Sequence, residues 1–185
     1  MRRPRSTYAV IAVLTFAALL TVFDSPTASR AAGPHDGDVS DAAPYYFMLS
    51  STRSNKCLTV ADASTTDGTF IVQETCDETA YHQHWSFFLV DDGSYLMVAR
   101  HSGKCLTVAD AGTANGTPAV QEPCSRENPA QQWSYPYVSG SSYLAVARHS
   151  GKCLTVAGGG TAEGAGVIQR TCLGSTNQQW RLGYY

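Results

Sequence analysis

"YLMVARHSGKCLTV" (residues 95–108) and "YLAVARHSGKCLTV" (residues 143–156) are nearly one stretch written twice, 48 positions apart. Working outward from the pair, a third copy of its end lies upstream, since "KCLTV" occurs at 56–60 as well as at 104–108 and 152–156. Downstream of each come a turn sequence ("TDGT" 66–69, "ANGT" 114–117, "AEGA" 162–165), a Gln ahead of a second Cys, and a Gln-x-Trp ending at Trp85, Trp133 and Trp180. Three units follow: 47–94, 95–142 and 143–185. Repetition at a period of roughly 20 to 50 residues governs architecture before any local propensity does.

Within each unit, short runs of Val, Leu, Thr and aromatic residues are bounded by Gly, Asp, Asn and Ser, and no stretch sustains a helical period, so the chain is predicted all-β. Asp67-Gly68 and Asn115-Gly116 are hairpin signals, with Glu163-Gly164 a weaker third. A hairpin at each brings an early cysteine beside the late one 19 residues on, which predicts Cys57–Cys76, Cys105–Cys124 and Cys153–Cys172. At one strand per roughly 8 to 12 residues each unit holds about four strands. Three such units are too few for a propeller and lack the polar caps of a solenoid. Closed around one axis they protect their edges and bury one Trp apiece, which is a β-trefoil of three 48-residue repeats.

The amino end reads separately. "MRRPR", an apolar run from Tyr8 to Phe23 and the small residues of "SPTASRAAG" have the order of a secretory signal peptide, expected over 1–31 with cleavage after Ala31. The run is short for a membrane span, so export to an extracellular, oxidising setting is expected, not membrane insertion. Residues 32–45 are expected to be a flexible leader and 46–185 the folded domain. Removing 1–31 leaves nine basic against fourteen acidic side chains, a balance that gives nucleic acid no electrostatic footprint.

Three repeats with a cysteine pair apiece and "QHW" (83–85), "QQW" (131–133) and "QQW" (178–180) in register resemble the ricin B-chain type β-trefoil lectins across residues 46–185. The resemblance implies secreted binding of a polysaccharide or cell-surface glycan, galactose- or xylose-type, through up to three shallow pockets termed alpha, beta and gamma. Such a pocket needs a polar clasp for sugar hydroxyls and a flat group against the ring. Carried over by position, the candidates are Thr59, Gln73 and Gln83 in the first repeat and Thr107, Gln121 and Gln131 in the second. The third supplies Thr155, Gln169, Arg170, Asn177 and Gln178. Threonine stands where the family has an aspartate, and Glu74, Glu122 and Arg170 where it has a stacking aromatic. Asp62 and Asp110 offer a substitute carboxylate that the third repeat replaces with Gly158, yet gamma, with its Asn177-Gln178, is the best-preserved site.

Other features read as architecture. Lys56, Lys104 and Lys152 recur with the fold, His101 and His149 sit in a duplicated turn suited to a loop hydrogen bond, and His82 with His84 lacks a third metal ligand and reads as solvent-facing. No nucleophile with a base and no pair of differentiated carboxylates is recognisable, so a non-catalytic monomer without cofactor or metal is expected. The competing expectation is a trefoil that recognises protein, as an inhibitor or effector, through degenerate sugar pockets.

Overall fold

The computed structural model describes residues 45–90 and 93–184; the expected signal peptide, nearly all of the expected leader, and Asp91-Asp92 lie outside the described residues. In the first repeat the strands are β1 (Phe47–Ser51), β2 (Cys57–Val60), β3 (Ile71–Glu74) and β4 (Trp85–Leu89). The second has β5 (Tyr95–Ala99), β6 (Cys105–Val108), β7 (Ala119–Glu122), β8 (Trp133–Ser134) and β9 (Tyr137–Ser139). The third has β10 (Ser142–Tyr143), β11 (Val146–Ala147), β12 (Cys153–Val156), β13 (Ala165–Arg170) and β14 (Trp180–Tyr184). Among the described residues fourteen strands replace the expected twelve because two are broken opposite each other. Pro136 has no N–H to give the ladder and splits β8 from β9, and facing it Leu144, whose N–H bonds the Pro136 carbonyl at 3.0 Å, separates β10 from β11.

First and fourth strands of the repeats form a closed ring: β1 pairs β4, β4 pairs β5, β5 pairs β8, β8 and β9 pair β11 and β10, β10 pairs β14, and β14 returns to β1. The three inner hairpins, β2–β3, β6–β7 and β12–β13, share one register, so that Cys57 faces Glu74, Cys105 faces Glu122 and Cys153 faces Arg170. This is the trefoil expected from the repeat. Trp85, Trp133 and Trp180 lie in the shared core, each donating its indole N–H to the carbonyl of Leu58, Leu106 or Leu154 at 3.0 to 3.1 Å. A buried indole needs that partner, which is why Trp recurs at the position facing a strand carbonyl. All three disulfides close within repeats as expected.

The X-Gly turns are looser than two-residue hairpins. Only Gly68, Gly116 and Gly164 take positive φ there, and a second bend precedes them at Asp62-Ala63, Asp110-Ala111 and Gly158-Gly159, also at positive φ. The turns stitch repeats together: the N–H of Gly68 bonds the Gln121 carbonyl, that of Gly116 the Gln169 carbonyl and that of Gly164 the Gln73 carbonyl, each at 2.9 Å. The cycle closes the molecule on itself. Among the described residues no helix is long and apolar enough to cross a membrane.

Candidate functional site

The third repeat forms a depression of about 340 Å³ lined by Thr155, Gly158, Arg170, Ser175, Asn177 and Gln178, with Arg53 reaching in from the first repeat. Its floor is the end of β12, where Thr155 is buried. The Thr155 hydroxyl donates to the Cys153 carbonyl at 2.7 Å and accepts from Gln178 Nε2 at 3.1 Å. Gln178 also donates to the Thr171 carbonyl, and its Oε1 accepts from the N–H groups of Leu173 and Gly174. An amide has two N–H groups to give and two lone pairs to offer. Gln178 has spent all four, so it holds the wall of the pocket and keeps no capacity for a ligand.

Asn177 is different. Its Nδ2 donates to the Val156 carbonyl at 3.0 Å and its Oδ1 accepts from Ser175 Oγ at 2.8 Å, leaving one N–H and one lone pair, on a half-buried side chain. Arg170, which lines the same depression, is exposed. Arg53 donates through Nε to the Gly159 carbonyl at 2.7 Å, which leaves the rest of its guanidinium at the pocket's rim.

The second repeat forms an equivalent depression of about 390 Å³, lined by Thr107, Asp110, Glu122, Asn128 and Gln131 among others. Thr107 and Gln131 repeat the buried arrangement, with Gln131 donating to Thr107 Oγ1 and the Pro123 carbonyl and accepting from Ser125 N–H. In the first repeat Thr59 and Gln83 are likewise buried, and Gln83 bridges the Thr75 carbonyl and the Asp77 N–H.

Three expected site residues are elsewhere. Gln73, Gln121 and Gln169 are fully buried and do not line the pockets. Each accepts from a serine of its own repeat (Ser54, Ser102, Ser150) and donates to two backbone carbonyls in the turn of the preceding repeat: Gly160 and Ala162, Ser64 and Thr66, Gly112 and Ala114. They are inter-repeat clasps, because side chains alternate across a strand and this register points inward.

The histidine pair also differs from expectation. His82 lies in a short 3-10 turn, 3.9 Å from Glu74, whereas His84 is buried and its Nδ1 meets Arg100 Nη1 at 3.2 Å. Burial, then the Arg100 charge, hold the His84 pKa below its ordinary value. His101 and His149 make the expected loop contacts, their Nε2 atoms 3.0 and 2.9 Å from the carbonyls of Ser64 and Gly112.

Of the pocket-lining residues, Arg170 and Asn177 were candidates from the sequence, Asp110 was weighed only as a substitute carboxylate and Glu122 only as standing where the family has an aromatic, whereas Arg53, Ser175 and Asn128 were missed. The available signal for Arg53 was the alignment itself, which puts it opposite His101 and His149.

Comparison with known proteins agrees with this geometry. The chain is similar in structure to a designed 3-fold symmetric protein, ThreeFoil, at 42% identity and a TM-score of 0.72, over 74% of this chain and 96% of that one. It is also similar to 1,3Gal43A, an exo-β-1,3-galactanase from Clostridium thermocellum, at 29% identity and a TM-score of 0.74, over 77% of this chain but 31% of the galactanase. An earthworm R-type lectin C-half, solved in complex with GalNAc, shares the fold at 17% identity and a TM-score of 0.59, over 77% of this chain and all of the other. Comparison with curated proteins gave no match. The family model for the ricin-type beta-trefoil lectin domain matches residues 45–182, so with its closed threefold ring and in-register Gln-x-Trp motifs the chain belongs to the ricin-type beta-trefoil lectin family.

Proposed function

We propose that this chain is a secreted, non-catalytic, monomeric carbohydrate-binding module that engages polysaccharide or cell-surface glycan chiefly through the third-repeat pocket. The observation that carries the reading is the meeting of Arg170 and Asn177, each with polar capacity left over, across one shallow depression in a lectin-family domain. Asn177 would clasp a pair of sugar hydroxyls, and the planar Arg170 guanidinium would lie against the ring where family members use an aromatic. A galactose-type ligand draws support from the 29% identity to part of a galactanase chain. The competing reading, recognition of a protein, is favoured by the inward-turned Thr59, Thr107 and Thr155, which give no carboxylate to a sugar.

Retention of the oxidised protein on insoluble polysaccharides and a glycan array decides between them. Binding that Asn177→Ala abolishes supports the lectin reading, while capture by a protein with no glycan retained supports the rival.

A further inference from the structure

We propose that the third-repeat pocket is selective for an anionic sugar residue, one carrying a carboxylate or a sulfate; this deepens the carbohydrate-binding reading and rests on it. Most of the chain is written three times alike, so a position that departs in one repeat is informative. Three pocket positions depart in the third repeat, all with the same electrical sign. The bend carrying Asp62 and Asp110 has Gly158, the wall carrying Glu74 and Glu122 has Arg170, and the inter-repeat side chain that is His101 or His149 elsewhere is Arg53. The second-repeat pocket is therefore lined by two carboxylates and no Lys or Arg, and the third by two guanidinium groups and no carboxylate.

Arg53 also fits sterically with a further change in the same bend. Gly159, at φ 65°, replaces the alanines at 63 and 111, and a Cβ there would stand 3.3 Å from Arg53 Nε. The missing methyl lets the guanidinium lie on the loop and bond the Gly159 carbonyl. A guanidinium fixed through Nε still presents its other N–H groups, and a planar fork of that kind matches a carboxylate or sulfate. Among the described residues neither Arg53 nor Arg170 has an ion-pair partner. Asn177 and Ser175, which line the same depression, supply the neutral contacts any sugar requires. The net charge of the whole chain is −2, so general attraction to a polyanion is absent and the selectivity is local to this pocket.

The test is affinity electrophoresis of the full oxidised protein in gels containing neutral galactan, polygalacturonate or a sulfated galactan, at low and at moderate salt. Retardation by one or both acidic polymers, weakened about tenfold or more by Arg170→Gln and partly kept by Arg170→Lys, is the expected result. The polymer that retards more identifies carboxylate or sulfate as the recognised group. Lys104→Gln, an equal loss of charge in another repeat, is expected to leave retardation unchanged, and Glu122→Arg to strengthen it by equipping the second pocket. Equal retardation by neutral galactan that survives Arg170→Gln would overturn the selectivity while leaving the lectin reading standing. Retardation by none of the polymers would overturn both.

Discussion

Truncating Gln121 to alanine separates a structural clasp from a ligand contact. The wild-type amide accepts from Ser102 Oγ at 2.8 Å and donates to the Ser64 and Thr66 carbonyls at 2.8 and 2.9 Å, in a place with no solvent exposure. Removing it leaves the Ser102 hydroxyl without its acceptor and takes one of two donors from each carbonyl, since Ser64 O also meets His101 Nε2 at 3.0 Å and Thr66 O also accepts from Thr69 Oγ1 at 2.7 Å. A buried polar group left without a partner costs about 1–3 kcal/mol, and with the two carbonyls keeping their second donors the expected loss is about 1–3 kcal/mol. Domains of ordinary stability have about 5–15 kcal/mol in total, which makes the effect large. Urea unfolding of the oxidised protein, followed by tryptophan fluorescence, should show a lower midpoint at an unchanged slope, because the surface exposed on unfolding is nearly the same. Gln121→Glu keeps the shape yet sets a carboxylate against two carbonyl oxygens and should not rescue. A loss under about 0.5 kcal/mol combined with abolished glycan retention would refute the reasoning and return Gln121 to the binding site.

Three further outcomes follow from the same structure. Trp133→Phe deletes an indole N–H that bonds the Leu106 carbonyl at 3.0 Å in the core and should cost about 2–4 kcal/mol, measured by the same urea titration. Replacing Cys105 and Cys124 together by serine opens a closed loop whose chain-entropy value is about 3 kcal/mol; a midpoint unaffected by the change would count against the bridge as a major staple. The Glu163 carboxyl is lowered to about 2 by hydrogen bonds from Lys56 first and then from Thr75. Because its folded pKa lies below the ordinary 4.5, its stabilisation is complete above that value and is lost as pH falls toward about 2. The Tm difference between wild type and Glu163→Gln should accordingly shrink across that window, and a gap that stays constant would contradict the assignment.

Much of this molecule was decided locally. The period of 48 residues, the paired cysteines and the recurring Gln-x-Trp are sufficient for a closed threefold β structure, because equivalent units with one apolar face each have few ways to bury it together. Proline at 136 likewise implies a broken strand, although only the facing Leu144 shows how the neighbouring strand yields with it. The site was legible in part. Arg170 and Asn177 could be placed because they stand at fixed offsets from a cysteine and a tryptophan within one repeat.

What tertiary structure alone decided is where hydrogen-bonding capacity remains. Gln121, Gln131 and Asn177 are all candidates in the sequence, since each is an amide near a family landmark. Gln121 turns out to be consumed by carbonyls of another repeat, with partners 55 and 57 positions away, and Gln131 spends its N–H groups within its own repeat, on the Thr107 hydroxyl and the Pro123 carbonyl. Arg53 enters the third pocket from 106 positions upstream of the carbonyl it bonds. A chain's order specifies its strands through short-range pattern, but whether a polar atom is satisfied depends on neighbours that only ring closure brings within 3 Å.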